Sequence, residues 1–312
     1  MSINSEYAVQ AVKGIKKDFD NGAKESLDMY KDNRVFDFYN TTEVFEVYTS
    51  TESMSGIKGL TNSETPPILN LEEGYSVTIE EGRFGGAILL DETTLRRNRV
   101  DTTMKVDSYL VKQSAMAMKA SIKYFLTKSF QMLNDAFVGA YFLAPDGNPI
   151  LGSHTWKSGA TFNNGVTAVL DEAGTAIDTA WEYAGDFVDA ASIESPLNWT
   201  HIIVKKGSAA ARTAKKLFSL GISPVAVGDI NIYQGGEITV VETPFILTAN
   251  KLNWFLRDAS FDNSLKVGMG IYPTMNDPIP LENQGHRVNI TGFFKLGCVN
   301  MPADWYGSTG AA

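Results

Sequence analysis

Cysteine is almost absent from this chain. Its 312 residues contain one, Cys298, which excludes an internal disulfide and any metal site built from several thiolates. Histidine is nearly as scarce. His154, His201 and His286 lie far apart, and no two have the spacing of a paired metal site. No apolar run is long enough to span a bilayer, and the polar N-terminus lacks a signal-peptide pattern. Without a secretion signal, the glycosylation patterns at Asn40, Asn198 and Asn289 read as chance matches. The expected home is a reducing cytoplasm, with no membrane partner. Positive charge is also in deficit: 27 Lys and Arg against 36 Asp and Glu leave a net charge of −9. The molecule as a whole is therefore no nucleic-acid binder by electrostatics.

Catalytic motifs are missing as well. There is no G-x-S-x-G elbow, Walker loop or dinucleotide fingerprint, and Gly268-Met-Gly270 lacks both a third glycine and a following helix. Ser153 and His154 are adjacent, so on a strand their side chains point to opposite faces and make no dyad. The acidic pairs Glu72-Glu73, Glu80-Glu81 and Asp171-Glu172 are explained by solvated turns and helix starts. No catalytic, metal-binding or cofactor-binding residue is nominated, and the expectation is a protein that is not an enzyme and carries no cofactor. What remains is an ordinary globular composition, 44% apolar and 20% charged, with chain enough for a large core in one or two domains.

One stretch dominates. From Ala87 through Val138 there is neither Gly nor Pro. Val111, Ala115, Met118, Ile122, Phe125, Ser129, Leu133 and Ala136 recur at steps of three and four, which places them in one stripe on a helix. Asp101 is an N-cap candidate and Gly139 a stop. The spacing predicts a helix over residues 101–137, roughly 55 Å long at 1.5 Å per residue. A compact chain of this length has a radius of gyration of only about 20 Å, so an elongated plate with a spine is expected. Lys105, Lys112 and Lys119 recur by sevens and Lys123 continues the line, forming a basic ridge. On its other flank lie Val106, Leu110, Ala117 and Tyr124. The ridge reads either as a solvated edge paired with acidic neighbours or as a surface facing a polyanion.

Along the rest of the chain, residues 5–31 read as an amphipathic arm with Ala8, Val12, Ile15 and Phe19 on one face. Gly14 and Gly22 weaken it by about 1 kcal/mol each relative to Ala. Residues 43–50 and 75–79 read as strands, separated by a long polar span with Gly56, Gly59, Pro66 and Pro67. Together they predict an extended finger that must lie on something else, most simply a neighbouring copy. Arm and finger carry apolar residues (Val12, Ile15, Val77 and Ile79) expected to lack an intrachain core. Turn residues Pro145, Asp146 and Gly147 follow the spine. A helix is expected over 166–184 with Leu170, Ile177, Trp181 and Ala184 on one side. Strand 200–204, a helix 209–220 capped by Ser208 and stopped at Gly221, and strands 236–241 and 252–256 come next. Residues 268–285, with Pro273, Pro278 and Pro280, read as irregular, and 287–296 as a final long strand. There is no internal repeat and no low-complexity tract.

This order of elements resembles the major capsid proteins of tailed bacteriophages, along essentially the whole chain from about Val35. The local matches are Asp146-Gly-Asn-Pro-Ile-Leu-Gly-Ser-His154, His201-Ile-Ile-Val204, and Ile238-Thr-Val-Val-Glu-Thr-Pro-Phe245 followed by Trp254-Phe-Leu-Arg-Asp258. The finish Asp304-Trp-Tyr-Gly307 is similar to the Mu-type head-subunit branch. The resemblance implies an α+β, HK97-like fold. Residues 1–42 would be the N-terminal arm and 43–90 the E-loop. The P-domain would be 91–165 with its spine helix, the inserted A-domain 166–276, and 277–312 the closing P-domain strand. It implies a head subunit that forms pentamers and hexamers of an icosahedral shell around double-stranded DNA, in a virion assembled in a bacterial cytoplasm. Implied partners are further copies of itself, portal and scaffolding proteins, packaged DNA by non-specific contact, and a decoration protein. Only some forty residues precede the finger, so an in-chain scaffold is expected to be absent. The implied contacts are the ridge Lys105, Lys112, Lys119 and Lys123, facing genome or subunit, and Lys58, Val77, Ile79 and Arg83 of the E-loop between subunits. In one branch of this family an E-loop lysine is joined to a neighbour's asparagine with a glutamate as base. Lys58 and either Asn289 or Asn300 could supply that pair. No glutamate follows Glu282, only Asp304 lies nearby in sequence, and the shell is expected to be free of cross-links. The alternatives are an encapsulin-like compartment and, in another class, a cytoplasmic carboxylate enzyme with an α+β body.

Overall fold

The apolar stripe of the spine is what ties the molecule together. The structure, a computed structural model, describes residues 16, 19–25, 34–55, 70–90, 107–219, 238–281 and 285–311. Helix α1 spans Asp107–Ser129 and is followed at once by the short α2, Gln131–Asn134. Ile122, Phe125, Ser129, Leu133 and Ala136 are all buried, as their spacing requires, and Met118 is half-buried. Each large apolar side chain hidden this way contributes about 1.5–3 kcal/mol. Val111 lies outside the residues whose side chains are described, and 101–106 outside the described residues altogether.

The spine ends earlier than its composition suggests. Regular helix stops at Asn134, not at 137. Ser129 donates its hydroxyl to the Phe125 carbonyl (3.0 Å), a back-bond that disturbs a helix. The Asp135 carboxylate then accepts the N–H groups of Ala140, Tyr141 and Phe142 at 3.0, 2.6 and 3.0 Å, turning the chain around itself. Gly139 sits in this turn at φ +66°, where a Cβ would meet the Leu143 side chain at 2.8 Å.

The stripe packs on a sheet centred on β13, His286–Cys298. Along one side of β13 runs β11, Leu265–Met275, and along the other β4, Gly82–Leu90, both antiparallel. Strand β1, Asp37–Asn40, pairs parallel with β11, and β12, Ile279–Pro280, caps one end of β13. Phe294 meets Phe125 edge-on, with ring centroids 5.4 Å apart, and Val267, Met269 and Phe36 complete this core. Strand β11 is a correction to the irregular stretch expected after residue 268. Its glycines are close-approach positions: a Cβ on Gly268 would meet the Tyr39 ring at 2.7 Å, and one on Gly270 would collide with the Glu81 carboxylate. Pro273 falls inside a register shift between Ile271 and Thr274, where a strand tolerates a missing N–H. Stretch 82–90, grouped with the finger on sequence grounds, forms β4 of this sheet.

A second sheet has the order β7, β14, β10, β8, β9. Its strands are Gly165–Val166, Trp305–Ser308, Trp254–Arg257, His201–Lys205 and Thr239–Thr243. Phe255, Ile203 and Trp305 face the spine core. Trp254, Leu256, Ile202, Val204 and Tyr306 face a second core under α3, Thr175–Gly185, and α4, Ala209–Ser219. Burial on both faces explains why these strands read as continuous apolar runs. The expected Ser208 cap is present: its hydroxyl accepts the Ala211 N–H at 3.0 Å. The helix expected over 166–184 begins only at Thr175. The Asp171 carboxylate accepts the N–H groups of Gly174 and Thr175, and Gly174 sits at φ +82°, so the preceding residues turn in from β7. Strands β1 and β14 had not been anticipated from the sequence.

The arm is described in part. Residues 19–25 are helical, and Phe19 and Ala23 are buried against Met275, Val288 and Ile290 of the chain itself. The Met275 N–H is accepted by Asp20 at 2.9 Å. Val12 and Ile15 lie outside the described residues.

Candidate functional site

The expected finger is present as β2, Phe45–Ser55, paired antiparallel with β3, Asn70–Glu80. Its two faces differ. Glu46, Tyr48, Val77 and Ile79 turn inward, and Phe45, Val47, Thr78 and Glu80 outward, as strand alternation dictates. Ile79 therefore departs from the expectation that it lacks an intrachain core. It is 4% exposed and lies over Gly297, where a Cβ would approach its Cδ1 to 2.9 Å. Val77 is half-buried beside it.

The finger also rests on its own chain. Tyr75 donates its hydroxyl to the Thr155 carbonyl (3.1 Å), and Lys157 donates to the Gly74 carbonyl (3.3 Å). These hold β3 against the hairpin of β5, Ser153–Thr155, and β6, Thr161–Asn163. The expectation of an unsupported finger thus fails at its root and middle. Residues 56–69, including Lys58, lie outside the described residues.

The root of the finger holds a polar network. Lys295 of β13 is wholly buried, and its Nζ lies 3.0 Å from Glu46 Oε1. Glu46 Oε2 accepts the hydroxyls of Tyr39 (2.7 Å) and Tyr48 (2.6 Å), and Oε1 also accepts that of Thr41. Burial alone would raise this carboxyl, but the bonds from Thr41, Tyr39, Tyr48 and Lys295 outweigh it and lower the group to about 2. Burial first, then the bond to Glu46, raises both tyrosines. Lys266 completes the root. It pairs with Asp37 (2.9 Å) and Asp262 (3.2 Å) and lies over the Tyr48 ring. None of these residues was nominated from the sequence. The one available signal was a lysine inside Phe293-Phe-Lys-Leu296, a run otherwise suited to burial.

The basic ridge is only partly within view. Lys112, Lys119 and Lys123 are exposed on α1, and Lys105 lies outside the described residues. Among the described residues no carboxylate forms an ion pair with these three lysines. Arg83 is exposed at the start of β4, with its guanidinium 5.9 Å from the Phe293 ring centre. Asn289 is half-buried, with an Oδ1 that meets no donor among the described residues. Asn300 accepts the Cys298 thiol through its carbonyl (3.2 Å). Asp304 is buried, and its Oδ2 accepts the Ser264 N–H at 3.2 Å. Burial drives its carboxyl up to about 7, against the Ser264 hydrogen bonds and the Arg257 charge. Ser153 is exposed and His154 buried, the latter held between Asp146 (3.1 Å) and the Ile150 carbonyl (3.1 Å). The two make no dyad.

No protein-family model matches this chain, and no curated protein does. Solved structures do match. The capsid structure of the cyanophage P-SCSP1u superposes with a TM-score of 0.54 at 9% identity, covering 88% of this chain and 85% of that one. A virus-like particle from Pyrococcus furiosus gives 0.52 at 8% identity, covering 94% and 98%. A structure from Mycobacterium phage Cain gives 0.50 at 11%, covering 88% and 87%. Over most of its length the chain therefore has the HK97-like fold of these structures.

Proposed function

We propose that this chain is the major head protein of a tailed bacteriophage. Its copies close into pentamers and hexamers of an icosahedral shell around double-stranded DNA, and its role is structural, not enzymatic. The observation that carries this reading is the match to a cyanophage capsid structure over 88% of this chain. In this reading β2–β3 is the E-loop, the spine with the β13 sheet the P-domain, and the second sheet with α3 and α4 the A-domain. Lys58 of the E-loop and Arg83 at the start of β4 are contacts between subunits, while the inward-facing Val77 and Ile79 lie against the chain's own body. Lys105, Lys112, Lys119 and Lys123 face either genome or neighbour. A net charge of −9 with basic charge gathered on one helix suits a shell that encloses DNA without gripping it. Portal, scaffolding and decoration proteins are the further partners.

A second reading has one observation in its favour. The Pyrococcus furiosus virus-like particle is matched over 98% of its own length, which suits a compartment closed around a cargo in place of a genome. Negative-stain electron microscopy of the purified protein tests both readings. Closed shells are expected, and a monodisperse monomer at high concentration would overturn both. Nuclease-protected DNA in shells from infected cells supports the head protein, and a co-purifying enzyme cargo supports the compartment.

A further inference from the structure

The run from Asp146 to His154, singled out in the sequence, is given no task by the shell reading, and it ends in a buried histidine. The His154 side chain is fully buried and that of Asp146 is 3% exposed. Nδ1 of the ring lies 3.1 Å from Asp146 Oδ2, and Nε2 lies 3.1 Å from the Ile150 carbonyl. A neutral imidazole has one N–H and one lone pair, so it can satisfy only one acceptor. Both partners here accept. The carbonyl has no proton to give, and Asp146 Oδ2 already accepts Asn148 Nδ2 (2.9 Å) and the Thr155 N–H (3.2 Å). Burial raises the Asp146 carboxyl, but the side-chain and backbone bonds of Asn148, the His154 charge and the Thr155 N–H together bring it below its ordinary value. The two bonds of His154 therefore coexist only in the imidazolium.

We propose that His154 is a pH-sensitive latch for the finger. Doubly protonated, it clamps β5 to the Asp146 turn; once one proton is lost, one of its two bonds goes and β5 is freed to shift. The finger feels this because it rests on the same strand. Thr155, next in sequence, donates its N–H to Asp146 and accepts the Tyr75 hydroxyl on its carbonyl (3.1 Å), and Lys157 donates to the Gly74 carbonyl (3.3 Å). From β6 the ring is stacked by Phe162, with centroids 5.0 Å apart, which brings no competing charge. Around the clamp stand Asp146 itself, Lys157 with its ammonium at Gly74, and the buried Cys298 of β13. That thiol feels the Asp146 charge, and burial above all pushes it well above its ordinary value, so it stays neutral. The clamp stabilises while both ring nitrogens are protonated and is lost as pH rises and the ring gives one proton up. On the acid side it fails only where Asp146 itself takes a proton, below the ordinary carboxylate range. The contact lies within one chain and does not depend on the shell reading.

Cleavage by proteinase K within residues 73–79 reads the latch. The full-length chain is kept below its assembly concentration and digested from about pH 6 to 9, spanning the ordinary histidine range. Cuts are located by mass spectrometry, and rates are normalised at each pH to an unstructured peptide. In the wild type the rate should rise roughly tenfold or more toward high pH, the scale of one lost charged hydrogen bond. His154→Phe keeps the ring stack but neither bond, and should be cut fast at every pH. Tyr75→Phe/Lys157→Met removes both ties of the finger to the hairpin and should likewise abolish the pH dependence, which keeps the test decisive if His154→Phe does not fold. A wild-type rate that does not change with pH, or a change that survives in either variant, overturns the inference.

Discussion

Lys295 Nζ lies 3.0 Å from Glu46 Oε1, so a wholly buried cation on the closing strand is neutralised by a carboxylate from the finger. The pair joins residues 249 apart in sequence at the point where the finger leaves the body. Removing one partner of a buried pair leaves the other charge uncompensated, which costs about 3–5 kcal/mol. Glu46→Gln should therefore lower unfolding free energy by that amount in chemical denaturation. Combining it with Lys295→Met should recover most of the loss. Equal stability of wild type and Glu46→Gln would show that the pair contributes nothing.

The same carboxylate sets an acid limit. Glu46 is lowered from 4.5 to about 2, so the folded state holds it ionised where the unfolded chain would take up a proton. Its stabilisation is complete above pH 4.5 and is lost as pH falls toward 2. Denaturant midpoints measured across that range should fall more steeply for wild type than for Glu46→Gln.

Asp304 works in the opposite direction. Its carboxyl is raised from 3.8 to about 7, so the folded state keeps a proton that the unfolded chain releases. That contribution is complete below pH 3.8 and is lost as pH rises through 7. Thermal midpoints should decline between pH 4 and 7 through this group, and Asp304→Asn should flatten the decline. An unchanged slope in the variant would assign it to other groups.

Deleting residues 53–73 removes the outer finger and spares Glu46, Tyr48 and Tyr75. The product should fold and remain soluble, yet stop at monomers or capsomers in sedimentation. Normal shells would show that the outer finger is dispensable for closure.

Covalent cross-linking is expected to be absent. A lysine nucleophile needs a carboxylate to take its proton, because a free amine is almost wholly protonated at neutral pH. Asp304, the acid nearest Asn300 in sequence, is buried and already hydrogen-bonded. Particles boiled in denaturant should run as one band near 34 kDa. A ladder of multimers that disappears in Lys58→Ala would mean that a base is supplied from elsewhere.

Much of the fold was legible because the relevant information is local. The period of the spine stripe, the Ser208 cap, the alternation in β3 and the long run of β13 each follow from neighbours within a few residues, whose sterics and hydrogen bonds act at short range. Sequence by itself thus determined these apolar faces and these elements, though not strands β1, β11 and β14. It also carried the order of elements on which the capsid resemblance rests. It could not determine what each face packs against. The spine's end at Asn134 depends on where the Asp135 carboxylate finds its donors. Strand β11 forms despite two glycines and a proline because Tyr39, Glu81 and β13 approach it closely, and those contacts come from distant segments. Lys295 becomes a buried partner of Glu46 only through the way β2 lies on β13, and that placement also decides which side of the finger faces outward. Tertiary structure alone decided these, because a buried charge or a backbone lacking a Cβ acquires its meaning from atoms brought to it by the rest of the chain.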